Sequence, residues 1–65
     1  MDKILEFSGG HLAFKVSAIN AVDINPDDKK NVRILIPDIY NMHFPSEEMA
    51  LEAFNGIVKA MKETL

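Results

Sequence analysis

Six residues, "DINPDD" from Asp23 to Asp28, have the opening rhythm of a calcium loop, with Asp23, Asn25 and Asp27 at alternate positions. Such a loop needs glycine at its sixth position for the sharp turn and a bidentate glutamate at its twelfth. Those positions are Asp28 and Ile34. The oxygen set does not close, and the stretch reads as a solvated turn.

His11 and His43 are the two histidines. Both are expected on outward positions of strands, where Glu6 or Asp38 could approach them for metal or acid–base work. Two histidines on outward strand positions are more often plain surface residues, so neither is assigned a catalytic or metal role. Ser8 and Ser17 lack the strand–turn–helix setting of an activated nucleophile. "SGG" at 8–10 is too short for a phosphate-binding loop, and no helix is expected after it. Lys15, Lys29, Lys30 and Arg33 could gather into a basic patch. No aromatic residues interleave with them to stack bases, since Phe7, Phe14, Tyr40 and Phe44 are needed inside. No catalytic residue, cofactor or metal site is therefore expected.

The elements that would position these residues follow from periodicity. "KILEF" alternates, and "SGG" supplies the positive φ that a hairpin loop demands. "HLAFKV" alternates again, with Leu12, Phe14 and Val16 inward. "SAI" at 17–19 is a corner, and "NAVDI" a third strand. "NPDDKKN" is a polar loop in which Pro26 suits the second position of a type I turn. "VRILI" sets Val32, Ile34 and Ile36 on one face, "PDI" turns the chain, and "YNMHF" alternates with Tyr40, Met42 and Phe44 inward. At Pro45 the period becomes helical. Ser46 is placed to cap the free amides, Glu47 and Glu48 suit the positive start, and Lys59 and Lys62 suit the negative end.

The 65 residues thus predict a single domain, residues 1–65, of the α+β class. Its parts are an antiparallel meander of four or five short strands (3–7, 11–16, 20–24, 32–36, 40–44) and one C-terminal α-helix, 47–64, packed on one face. That order resembles a broad group of small bacterial and phage proteins, of which the FlbD-like flagellar proteins are one named example. The resemblance runs from Ser8 to Phe44 through "SGGH", "INAVDI", "NPDD" and "VRILI". It implies this kind of fold and no particular chemistry.

Composition narrows the partners. A net charge of −3 disfavours general affinity for nucleic acid or anionic membranes. Apolar runs such as "ILI" at 34–36 reach three residues, far short of a membrane span. "MDKILEFSGG" has acidic residues at 2 and 6 and no long apolar core, so it does not read as a signal peptide and a cytoplasmic protein is expected. With no cysteine, neither disulfides nor thiolate zinc can support so small a core.

The helix carries the last expectation. Leu51, Phe54, Ile57, Val58, Met61 and Leu65 gather into a core stripe, and Met49, Ala53, Gly56 and Ala60 form a second row beside it. Together they span about 200°, well beyond a one-sided surface stripe. Gly56 costs roughly 1 kcal/mol against alanine in a helix interior, which close approach of another backbone would offset. That backbone belongs either to the chain's own sheet or to the helix of a second copy. An outward patch of Ile4, Ala13, Ala21 and Leu35 adds apolar surface. The expected protein is a self-associating interaction module without enzymatic activity, a homo-oligomer through Met49, Ala53, Gly56 and Ala60, with room for an unidentified protein partner. The alternative is a small nucleic-acid-binding regulator of bacterial or phage origin, resting on the basic loop.

Overall fold

The computed structural model describes residues 3–64. Five strands, β1 (Ile4–Phe7), β2 (Leu12–Lys15), β3 (Ala21–Ile24), β4 (Asn31–Ile36) and β5 (Asp38–His43), precede one helix, α1 (Glu47–Thr64). The class is α+β, every strand pair is antiparallel, and the helix packs against the strands.

The strands do not form one continuous meander. They split into a hairpin, β1–β2, and a three-stranded sheet in the order β3–β4–β5. The corner between them is the reason. Val16–Ala18 form a single 3-10 turn, and the Val16 amide donates to the Lys3 carbonyl, which closes the hairpin. Val16 and Ile19 are then buried as the chain leaves the hairpin, so β3 starts a new sheet. At the other end of the hairpin Gly9 and Gly10 have φ of 65° and 90°, the left-handed region that side chains with a Cβ rarely enter.

Alternation sets the faces. In the hairpin Leu5 lies opposite Phe14 and Phe7 opposite Leu12, all facing the core. Phe7 stacks on Phe14 with ring centres 5.6 Å apart and meets Phe44 edge-on at 6.4 Å. In the larger sheet Val22–Ile34–Tyr40 and Ile24–Val32–Met42 form cross-strand rows on the inner face. The centre of the core is Ile19, Val32, Ile34, Met42, Ala50 and Ile57.

The helix begins as its sequence dictates. The Ser46 hydroxyl accepts from the Met49 amide at 3.2 Å, and Glu47 and Glu48 occupy the first turn. Its buried residues are Ala50, Ile57 and Ala60. Leu51, expected in the core stripe, is half-exposed, and Ala50 takes its place. The helix is rolled so that small side chains meet the strands, which lets the two backbones approach closely. Phe54, Val58 and Met61 are half-buried, and Leu65 lies outside the described residues.

The fifth strand also departs from expectation. It begins at Asp38, because Ile36 and Asp38 are direct partners across Pro37, so the turn is one residue instead of three. Tyr40 is on the inner face yet 48% exposed. It lies on an outer strand, and the helix packs chiefly on β3, β4 and the Val16–Ala18 turn.

Candidate functional site

The histidines and carboxylates that looked able to do chemistry, Glu6, His11, Asp38 and His43, are exposed. His11 sits in the turn before β2 and His43 ends β5, and both are exposed. Asp38 begins the strand that His43 ends, which separates them by roughly 17 Å at about 3.4 Å per residue. Glu6 is on the outer face of β1, opposite Ala13. Among the described residues no three His, Cys, Asp or Glu side chains cluster to hold a metal ion.

The 23–28 stretch folds as a turn built from its own side chains. Asn25 Oδ1 accepts from the Asp27 amide at 2.9 Å, and Asp28 Oδ1 accepts from the Lys30 amide at 3.1 Å. Asn31, read as the last loop residue, is the first of β4 and is buried. Its side-chain Nδ2 donates to the Met42 carbonyl at 3.2 Å, and its Oδ1 accepts from Asn25 Nδ2 at 3.1 Å. Polar sequence on both sides of Asn31 hid this role.

Two ion pairs hold displaced titratable groups. The Arg33 guanidinium grips both oxygens of its cross-strand partner Asp23, with Nε 2.8 Å from Oδ1. Those hydrogen bonds hold the Asp23 carboxyl below the usual range and raise Arg33. Lys3 Nζ lies 2.6 Å from Glu63 Oε1, tying the start of the described chain to the end of the helix, and this bond lowers Glu63. Arg33 is thus committed within the sheet, and Lys29 and Lys30 lie in the β3–β4 loop beside Asp27 and Asp28.

The apolar surface is more organised. Of the row expected at an interface, Met49 and Gly56 are exposed, Ala53 is half-buried and Ala60 lies in the core. A Cβ added at Gly56 would meet nothing within 4 Å, so the glycine does not face the chain's own sheet. The expected outward patch divides. Ile4 and Ala13 belong to the hairpin, whereas Ala21 and Leu35 are direct partners on the larger sheet. Ile39, 63% exposed, continues their row onto β5.

Around β5 three features meet. The strand is the outer member of its sheet, with its far side unpaired among the described residues. Ile39 projects from its outer face. Beside it a hollow is lined by Phe7, Leu12, Tyr40, Met42, Phe44 and Met49, with Gly9, Asn41, His43 and Pro45 completing its walls. Tyr40 and Met49, 48% and 47% exposed, border that hollow. An unpaired strand edge flanked by apolar side chains is a surface suited to a protein chain. No helix among the described residues is long and apolar enough to cross a membrane.

No protein-family model, curated protein or solved structure matches this chain.

Proposed function

We propose that the protein is a non-enzymatic, self-associating interaction module. One observation carries the reading: Tyr40 and Met49, each about half exposed, border one hollow beside an unpaired strand. Single exposed hydrophobics are ordinary on any surface. Large apolar side chains grouped beside free backbone donors and acceptors are not, because both gain from the same covering partner.

The size of the chain supports the same reading. A domain of 65 residues buries a modest share of its surface and has little stability in reserve. Covering exposed apolar area against a second copy supplies burial that the monomer lacks. Asp23, Arg33, Glu63 and Lys3 are occupied in bridges between elements, which is a structural role.

Sedimentation equilibrium across a wide range of protein concentration tests the proposal. The expected result is a mass that rises from monomer toward dimer or higher oligomer. A monomer at every concentration overturns it.

A further inference from the structure

The self-association reading leaves the contact unspecified, and the backbone of β5 narrows it. We infer that β5 pairs antiparallel with β5 of a second copy, about a two-fold axis at Asn41, joining the two three-stranded sheets edge to edge.

The argument begins with hydrogen-bond parity. The Phe44 amide donates to the Lys30 carbonyl at 2.9 Å, continuing the register in which Met42 faces Val32 and Tyr40 faces Ile34. In an antiparallel ladder bonded pairs alternate with non-bonded ones. Tyr40, Met42 and Phe44 therefore direct their backbone groups at β4. Ile39, Asn41 and His43 direct theirs to the free side.

A second copy of the strand satisfies those groups only where its own outward residues stand opposite. That condition excludes every register setting an odd-numbered residue against an even-numbered one. The surviving two-fold axis is perpendicular to the sheet, so both helices lie on the same side. Among these registers, centring on Asn41 sets Ile39 opposite His43 and Asn41 opposite itself. All three outward N–H and C=O groups on each strand are then used. Centring on Tyr40 strands those of His43, and centring on Met42 strands those of Ile39.

The side chains fit the same register. On the inner face Tyr40 comes opposite Met42 of the second copy and diagonal to its Phe44, at the mouth of the hollow that those residues line with Met49. Knob and hollow lie on one edge, so a single two-fold operation fills both. On the outer face exposed Ile39 meets the imidazole of His43. The contact covers Tyr40 and Ile39, 48% and 63% exposed in the single chain, on opposite faces of the strand.

Charge does not oppose this register. Copies of a chain with net charge −3 repel, so a contact between them has to keep like charges apart. The charge on β5 at neutral pH is Asp38, at its first position. The two-fold axis sets the two Asp38 residues about six positions apart along the ladder, roughly 20 Å. That exceeds the screening length of about 8 Å in physiological salt. The helix packs chiefly on β3 and β4.

The test combines sedimentation, one backbone variant and amide exchange. Asn41→Pro deletes an N–H that the monomer does not use and breaks both hydrogen bonds on the axis. It should retain the wild-type circular dichroism while associating about tenfold or more weakly. In the wild type the amides of Ile39, Asn41 and His43 should exchange slowly when concentrated and quickly on dilution, a readout independent of any variant. An associating wild type whose three amides exchange quickly at all concentrations, or a folded Asn41→Pro variant that associates normally, overturns the β5 contact and leaves self-association standing. Loss of association in Gly56→Leu together with that result assigns the contact to the helix. A wild type that never associates overturns both.

Discussion

The two outer strands of the larger sheet, β3 and β5, share one backbone chemistry and meet different surroundings. β3 has four residues, Val22 and Ile24 are half-buried, and the helix and the Val16–Ala18 turn lie against it. Its charge, Asp23, is locked to Arg33. β5 has six residues, of which Met42 alone is buried. An 18-residue helix is about 27 Å long, enough to cover one side of a small sheet. Packing it over β3 and β4 leaves β5 with five of its six residues exposed.

The largest expected effect tests the closed side. Ile57 is fully buried between helix and sheet, so Ile57→Ala should cost about 2–5 kcal/mol and can unfold the domain. Ile39→Ala on the open strand should change monomer stability by less than about 0.5 kcal/mol. Urea denaturation at low protein concentration measures both. Equal losses would mean that β5 is covered within the monomer and would end the contrast.

Two asparagines sharpen it further. Asn31 bonds to the Met42 carbonyl and to Asn25, and is buried. Asn31→Ala leaves the Asn25 amide and part of the loop without a partner, at a cost of about 1–3 kcal/mol. Asn41, exposed on β5, should tolerate alanine with almost no change in the urea midpoint of the dilute protein. A silent Asn31→Ala would show that the Asn25–Asn31–Met42 link does not hold the β3–β4 loop to β5.

Much of this organisation was legible in the sequence, and the misses share a cause. Strand alternation, the glycine turn, the Ser46 cap and the helix bounds are local, and local periodicity specifies them. The split into two sheets depends on where Val16 and Ile19 are buried, which alternation does not encode. The roll of the helix follows from Ala50 and Ala60 letting it approach the strands closely, a gain invisible to a scale that favours Leu51. Tyr40 has the inward parity expected of it and is nevertheless half-exposed, because cover depends on the placement of a distant helix. The open edge of β5 could have been suspected from "DIYNMH", a six-residue strand with no Lys, Arg or Glu to protect it.

Gly56 gives a smaller effect that separates the helix surface from the strand edge. Its surroundings are empty to 4 Å and its φ is not positive, so Gly56→Ala adds a methyl group without strain. The monomer should gain about 0.5–1 kcal/mol. If association runs through β5, the dimer constant should stay as it is. A variant that is more stable as a monomer yet weaker in association would move the contact to the helix.

The smallest effect concerns the charge pair on the closed strand, and its sign is fixed by the direction of the shift. Hydrogen bonds from Arg33 hold the folded Asp23 carboxyl below its ordinary range, so folding favours the ionised form. The contribution is fully present above the unfolded carboxyl's pKa, about 3.9, and is lost as the pH falls through the lower folded value. Asp23 is more than half exposed, so solvent screening keeps the amount small. Urea midpoints of wild type and Asp23→Asn should therefore differ slightly near neutrality and converge in acid. Salt should narrow the difference as well, because an exposed pair is screened. Superimposable curves at every pH would show that the pair positions Arg33 without stabilising the fold. The contrast between the two edges would then rest on the helix alone, which is where Ile57 already places most of it.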